Sequence, residues 1–318
     1  MGAVIERADV LEARDRISGH VRSTPVIDAG DELGPGRVLL KLELLQHTGS
    51  FKARGAFNRL LHARELGTLD PSLGIVVASG GNAGLANAYA AAQLGVPATV
   101  FVPETAPAVK VARLEGYGAR VVLAGTEYAT AYEAALREVA ATGALHCHAY
   151  DQPDIAAGAG TLALEVVDQV AREVARPVDT LVVAVGGGGL LAGVTAALEG
   201  SAGVLGVEPS TAATLHAALE AGAPVDVPVS GVAADSLGAR RIGQIAFDVV
   251  GRHPVTSLLV TDDEIVAARR LLWQRWRVVV EHGAAAALAA LTSGRYRPEP
   301  DETVVVVLCG ANTDPSDL

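Results

Sequence analysis

From residue 73 onward, short apolar runs alternate with longer stretches of helical spacing. LGIVVAS (73–79) is β-branched and apolar, and NAGLANAYAAAQLG (82–95) follows as an alanine-rich helix closed by Gly95. ATVFV (98–102) predicts the next strand. PAVKVARLEG (107–116) begins with proline and ends with glycine, the asymmetry expected of a helix. ARVVL (119–123) is then a strand, and 127–141 is helical. The rhythm resumes with DTLVVAV (179–185), a helix after Gly189, and AGVLGVE (202–208). Thr261 and Glu264 form a capping box for a helix running to about Arg277, and TVVVVL (303–308) reads as a buried strand. Strand and helix in alternation imply an α/β protein, with parallel sheets carrying helices on both faces. No 20–50-residue period is visible, which excludes a repeat architecture.

The rhythm is punctuated twice, by Gln46–Gly49 after an early strand, RVLLKLE (37–43), and by DQPD (151–154). Residues 47–150 are therefore expected to close as a smaller domain. Residues 1–46 would then pack with 151–318 as a larger one.

Composition narrows the class. With 318 residues, half of them hydrophobic and 19% charged, the chain can bury a sizeable core. A net charge of −11 argues against nucleic acid or an anionic membrane as partner. Cys147 and Cys309 cannot form a disulfide framework, so a cytoplasmic setting is expected. The charged start, MGAVIERADVLEARD, is unlike a secretory signal. The apolar run Leu181–Leu198 contains four consecutive glycines and reads as strand, loop and helix rather than a membrane span.

Four local motifs carry candidate chemistry. In TGSFKARGAF (48–57), Lys52 follows small residues and Phe51; an amine used for Schiff-base chemistry needs an apolar neighbour that favours its neutral form. SGGNAG (79–84) joins a strand to a helix, where free amides and the helix dipole suit a carboxylate. VGGGGLLAG (185–193) presents side-chain-free backbone to a phosphate. It matches neither the dinucleotide fingerprint nor the nucleotide-triphosphate loop, which favours a single-phosphate ligand. LCGAN (308–312) follows the last buried strand, and its Cys309 would otherwise be an ordinary buried thiol. All four fall at or beside carboxyl ends of strands, where α/β proteins place ligands. One lysine, one phosphate cradle and one carboxylate cradle suggest pyridoxal phosphate acting on an amino acid.

In this order and spacing, TGSFKARGA, SGGNAG, VGGGGLLAG and LCGAN resemble the fold-type II pyridoxal-phosphate enzymes, and within them the serine/threonine dehydratases, from about Pro25 to Asn312. The resemblance implies a tryptophan-synthase-β-like pair of α/β domains. The stretch 81–103 is similar to catabolic serine dehydratases, since the biosynthetic enzymes usually carry histidine at the Ala83 position. It further implies that Lys52 binds the cofactor and later removes the Cα proton. Gly186, Gly187, Gly188 and Gly189 would hold the phosphate, Asn82 the ring's 3′-oxygen, and Phe51 would pack on the ring. Cys309 would face the pyridine nitrogen, and Ser79, Gly80, Asn82 and Ala83 would bind substrate. Water would finally release a 2-keto acid and ammonia from L-serine or L-threonine.

A thiol opposite the ring nitrogen makes a weaker electron sink than a carboxylate would, which favours elimination. Gly80 stands where many dehydratases have alanine and racemases have serine, so racemisation is expected to be poor. Glu281–His282–Gly283 replaces the usual Glu-Pro; Glu281 is expected to line the site and His282 to be a surface or cap residue. The resemblance also implies a homodimer, no end-product regulatory domain, and a monovalent cation such as potassium held by Glu208 with oxygens of Ala212, Thr214, Leu237 and Ala239. The alternatives are a racemase, a β-replacement enzyme, a dehydratase for a bulkier β-hydroxy amino acid, and a binding protein that has lost catalysis.

Overall fold

The computed structural model describes residues 4–318. Among these described residues, ten strands form two sheets. The larger contains β1 (Val26–Asp28), β2 (Arg37–Lys41), β7 (Thr180–Ala184), β8 (Gly203–Pro209), β9 (Thr256–Val260) and β10 (Thr303–Val307), in the order β1-β2-β10-β7-β8-β9. The smaller contains β3 (Ile75–Ala78), β4 (Ala98–Val102), β5 (Arg120–Leu123) and β6 (Leu145–Cys147), in the order β5-β4-β3-β6. All pairings are parallel except β1 with β2, an edge hairpin that departs from the expected all-parallel sheets. The large sheet draws strands from both ends of the chain, and the small one only from residues 75–147.

Eleven helices among the described residues cover the sheets: α1 (Arg7–Ile17), α2 (Lys52–Glu65), α3 (Asn82–Leu94), α4 (Ala108–Gly116), α5 (Tyr128–Thr142), α6 (Pro153–Glu173), α7 (Gly189–Leu198), α8 (Thr214–Ala221), α9 (Gln244–Arg252), α10 (Asp262–Trp276) and α11 (His282–Thr292). The two central strands of the large sheet, β10 and β7, are almost wholly interior, and Val304, Val305, Val306 and Val307 are all fully buried. Each such valine contributes roughly 1.5–3 kcal/mol on leaving water. Continuous apolar runs of this kind belong to strands covered on both faces.

The helix that matters most for placement is α6. A Cβ on Gly55 of α2 would lie 2.6 Å from the Ile155 carbonyl, and one on Gly158 would lie 2.7 Å from that of Arg54. On its other side, a Cβ on Gly193 of α7 would come within 2.1 Å of the Ala156 carbonyl, and one on Gly160 within 2.3 Å of Gly193. Glycine lets these backbones touch. The helix carrying Lys52 and the helix opened by the glycine loop are thereby fixed against one rigid partner. No helix among the described residues is long and apolar enough to cross a membrane.

Candidate active site

Lys52 opens α2, directly after a segment laced to the end of β10. Ser50 bridges Gly310, the Phe51 amide donates to the Cys309 carbonyl (3.0 Å), and the Ala311 amide donates to the Gly49 carbonyl (2.9 Å). The first turn of α2 is anchored from below. Arg54, 2% exposed, donates to both Glu43 oxygens (2.6 and 3.0 Å) and to Glu165 (2.9 Å). Lys41, itself fully buried, donates to Glu165, Gln169 and the Thr24 carbonyl. Every charge in this network has a partner, as buried charges require.

The Lys52 amine donates to the Ala149 carbonyl (3.3 Å) and stands 4.6 Å from the centre of the Phe51 ring. Burial pushes its pKa below the ordinary lysine value, with Cys309 and Glu281 pulling the other way. Burial pushes the Cys309 thiol up to about 12, so at neutral pH it is uncharged and little opposes desolvation except Glu281. Phe51 acts in both senses: its ring removes water from the amine, while its face favours the cation. Desolvation is the stronger influence here.

Ala149 belongs to a turn that the sequence gives no sign of. The neutral His148 ring, its pKa lowered to about 4 mainly by burial, accepts at Nδ1 from the amides of Tyr150 (3.2 Å) and Asp151 (2.8 Å). Its proton is therefore on Nε2. Asp151 accepts from the first amides of α9, at Gln244 and Ile245 (both 3.1 Å). The Tyr150 ring lies on Gly187, where a Cβ would be 2.4 Å away. Gly188 has φ +85°, and a Cβ there would be 2.6 Å from Ala246. Gly187, Gly188 and Gly189 are thus obligatory in this packing, while a Cβ on Gly186 would be tight, 3.2 Å from Leu237. At its end α7 begins with no side-chain cap, so its first amides have neither an intrahelical acceptor nor a capping oxygen.

Phe51, Lys52, Gly55, Ala83, His148, Tyr150 and Gly189 share one cleft. Ser79, Gly80, Asn82 and Ala83 lie at the start of α3, which also lacks a side-chain cap; the Gly81 amide donates to Ser79 Oγ (3.3 Å). A Cβ on Gly80 would be 3.3 Å from Val102, so alanine there is tight but close to tolerable. The Asn82 amide nitrogen donates to both oxygens of Glu281 (2.9 and 3.0 Å), bringing the small-sheet unit to the N-terminus of α11. Burial pushes the Glu281 carboxyl up to about 7, against the Asn82 hydrogen bond and the Lys52 charge.

The glycine loop also meets the candidate cation residues. Thr214 donates to the Gly186 carbonyl (2.5 Å) and stands 3.1 Å from Glu208, which accepts from the first amides of α8 at Leu215 (2.7 Å) and His216 (2.9 Å). Of about four carboxylate lone-pair positions, the two amides fill two, because the single Thr214 hydroxyl proton is given to Gly186. Leu237 packs beside Gly186, and Ala212 and Ala239 lie in flanking segments. His282 is the first residue of α11 and half-buried, 3.9 Å from Asp317.

Sequence reasoning missed Asn312, Tyr150, His148 and the Arg54 network. Asn312 stood inside LCGAN and Arg54 inside TGSFKARGAF; Tyr150, His148 and the partners of Arg54 become visible only when the chain folds back.

The profile of the family described as pyridoxal-phosphate dependent enzyme matches residues 17–310. A phenylserine dehydratase of Ralstonia pickettii is 39% identical over 306 residues, covering 95% of this chain and 91% of that protein. An L-threonine ammonia-lyase of Geobacter sulfurreducens is 36% identical, covering 96% of this chain and 75% of that one. Among solved structures, a threonine deaminase from T.th. superposes with a TM-score of 0.89 at 36% identity, covering 98% of this chain and 100% of that one. The serine racemase of Dictyostelium discoideum gives 0.89 at 31% identity, with the same coverage.

Proposed function

Because the chain belongs to the fold-type II pyridoxal-phosphate enzymes, we propose that it is an ammonia-lyase removing water and then ammonia from L-serine, L-threonine or a β-hydroxy amino acid with a larger substituent. One observation carries the reading. A desolvated lysine amine shares a cleft with an uncapped, side-chain-free helix start, and α6 fixes the two helices relative to each other.

The residues fit the cofactor. Gly186–Gly189 form a side-chain-free loop packed against Tyr150, Ala246 and Leu237, and the first-turn amides of α7 offer donors for a phosphate. Cys309, held neutral by burial, suits an unprotonated ring nitrogen, and Phe51 offers a flat apolar face. When bound, pyridoxal phosphate supplies an electron sink that acidifies the substrate Cα–H.

The chain's own groups do the rest. The first amides of α3, with Ser79 and Asn82, bind the substrate carboxylate. Lys52 anchors the cofactor and, as a neutral amine, takes the Cα proton; its lowered pKa raises the neutral fraction at working pH. The weak sink opposite Cys309 favours prompt loss of the β-hydroxyl over side reactions. Gly80 offers no hydroxyl to protonate the opposite face of Cα, so elimination is favoured over racemisation.

The remaining lone pairs of Glu208, with Thr214 and carbonyls of Ala212, Leu237 and Ala239, are proposed to hold a monovalent cation such as potassium next to the loop; a single carboxylate suits low charge. Activation by potassium that survives EDTA supports this site. By resemblance the enzyme is read as a homodimer, and its two free cysteines are in keeping with the cytoplasm.

The test is a keto-acid assay on the holoenzyme with serine, threonine and phenylserine, with chiral analysis of residual serine. Keto acid and ammonia in equal amounts support the reading. D-serine without keto acid, or product only with O-acetylserine and sulfide, overturns it. The small residues Gly80 and Ala83 and the 39% identity to a phenylserine dehydratase favour the larger substituents in that panel.

A further inference from the structure

Four segments meet at the mouth of the cleft through one chain of hydrogen bonds. Asn312 donates through Nδ2 to the Thr48 carbonyl (2.7 Å) and to Asn82 Oδ1 (2.7 Å). Asn82 donates through Nδ2 to both oxygens of Glu281. Glu281 in turn donates its own amide to the Gly310 carbonyl (3.1 Å).

The polarity of this chain is decided at its far end. A backbone carbonyl only accepts, so Asn312 must turn its NH2 toward Thr48. Its second N–H then meets Asn82, which must answer with its oxygen. The Asn82 nitrogen is left facing Glu281, whose two oxygens accept from it. Both ends of the Asn82 amide are therefore specified, and flipping it would set two donors against each other and an oxygen against a carboxylate. One nitrogen contacting both carboxylate oxygens is a single shared N–H, so the second N–H of Asn82 is free for an outside acceptor.

Two local features were built around this arrangement. A Cβ on Gly310 would lie 2.4 Å from Glu281 Oε1, so that position must be glycine for the carboxylate to sit there. Thr48, the carbonyl that sets the polarity, has φ +61°, a conformation rare for a β-branched residue and held by the flanking bonds from Asn312 and Ala311.

We propose that Glu281 and Asn312 are positioning residues for Asn82, fixing the orientation of its amide so that one N–H is presented to an oxygen of the bound cofactor. The inference rests on the pyridoxal-phosphate reading and deepens it. Neither residue needs to touch the cofactor: each acts through the Asn82 side chain. A carboxylate at 281 offers the Asn82 nitrogen an acceptor at both oxygens, whereas a glutamine has only one accepting end.

The test is a double-mutant cycle on cofactor affinity, read by absorbance and fluorescence titration of the apoprotein with pyridoxal phosphate. Asn82→Ala, Glu281→Gln and Asn312→Ala should each weaken binding about tenfold or more, the scale of one hydrogen bond to a charged or oriented group. Melting curves of the apoproteins check that each variant is folded. The distinguishing result is non-additivity: Asn82→Ala/Glu281→Gln should bind no more weakly than Asn82→Ala alone. Asn312→Ala serves as the independent arm and should likewise add nothing on the Asn82→Ala background. Additive losses in both pairs overturn the inference and leave the cofactor reading standing. A parent chain that does not bind pyridoxal phosphate overturns that reading and this inference with it.

Discussion

The two walls of the cleft are held by different physics. On one side, α2 and α7 rest on α6 through glycine contacts that bring backbone against backbone, and Arg54 is clamped by two carboxylates beneath. On the other, α3 and the small sheet reach across by side chains: Asn82 to Glu281 and Asn312, and Lys110 to Asp235. The first wall tolerates no movement without overlap, since a close-packed interior is not continuously deformable. The second shares an apolar core with α2 through Phe57, Leu60, Leu85 and Ala86, and only its contacts toward α11 and Asp235 are polar, one of them an exposed ion pair worth little in water. The residues proposed to hold the cofactor at two points, Lys52 and the glycine loop, are on the rigid wall. Those proposed to bind the substrate are on the wall whose far side is held by polar side chains.

The sharpest way to break the contrast is to remove chemistry from the rigid wall without touching its packing. Lys52→Ala deletes an amine whose hydrogen-bonding partner is the Ala149 carbonyl. Turnover should fall by more than about 10³-fold, because anchor and base are lost together, while the melting temperature stays near the parent's. Keto-acid assay and thermal denaturation check both halves, and steady-state activity near the parent's would refute the assignment.

Next comes the packing itself. Gly193→Val forces a side chain into the Ala156 carbonyl, 2.1 Å from where its Cβ would be. A loss on the order of 4 kcal/mol is expected, shifting the melting temperature by about 10 °C. The same substitution at Gly200, a surface turn with open space around it, strains only its φ of +80° and should cost far less. Comparable losses at both sites would show that α6–α7 contact is not what holds this wall.

How much of this was legible beforehand depends on range. VGGGG, SFK and SGGN announced themselves because each is a short contiguous piece whose chemistry needs adjacent residues. β10 was legible because a strand covered on both faces is apolar throughout. By contrast β6 and β9 were missed, since LHC and TSLLV are too short or too mixed to stand out from a turn. The helix α6 was missed too: its glycines look like helix breakers in sequence and prove to be contact points in space. The Asn312–Asn82–Glu281 chain spans residues separated by up to 230 positions, which no local pattern encodes.

A smaller effect separates charge from packing at Cys309, on the rigid wall. Cys309→Ser keeps a neutral group of similar size and should retain most activity with a modest stability loss of about 1 kcal/mol, the scale of burying a hydroxyl with imperfect pairing. Cys309→Asp places a carboxylate beside Glu281 and near Lys52, and should depress elimination and allow side products such as racemised serine. Equal rate and cleanliness in the aspartate variant, measured by keto-acid yield and chiral analysis, would remove the electronic role given to the thiol.

The remaining effect lies on the other wall and is read through pH. Glu281 is buried, and its carboxyl titrates at about 7 in the folded chain against an ordinary 4.5. The folded state therefore holds a proton that the unfolded state has released between those values. Stability contributed by this group is fully present below about 4.5 and is lost as pH rises through about 7. Over the whole window the change is roughly 3 kcal/mol. Burial is the leading cause, opposed by the Asn82 hydrogen bond and the Lys52 charge and reinforced by Asp235. Glu281→Gln has no proton to lose. Denaturant unfolding of the two apoproteins at pH 5 and pH 8 should show the parent losing more stability across the interval than the variant. Parallel pH profiles would mean that the carboxylate is already charged when folded, and that the polar wall is held more tightly than the buried acid suggests.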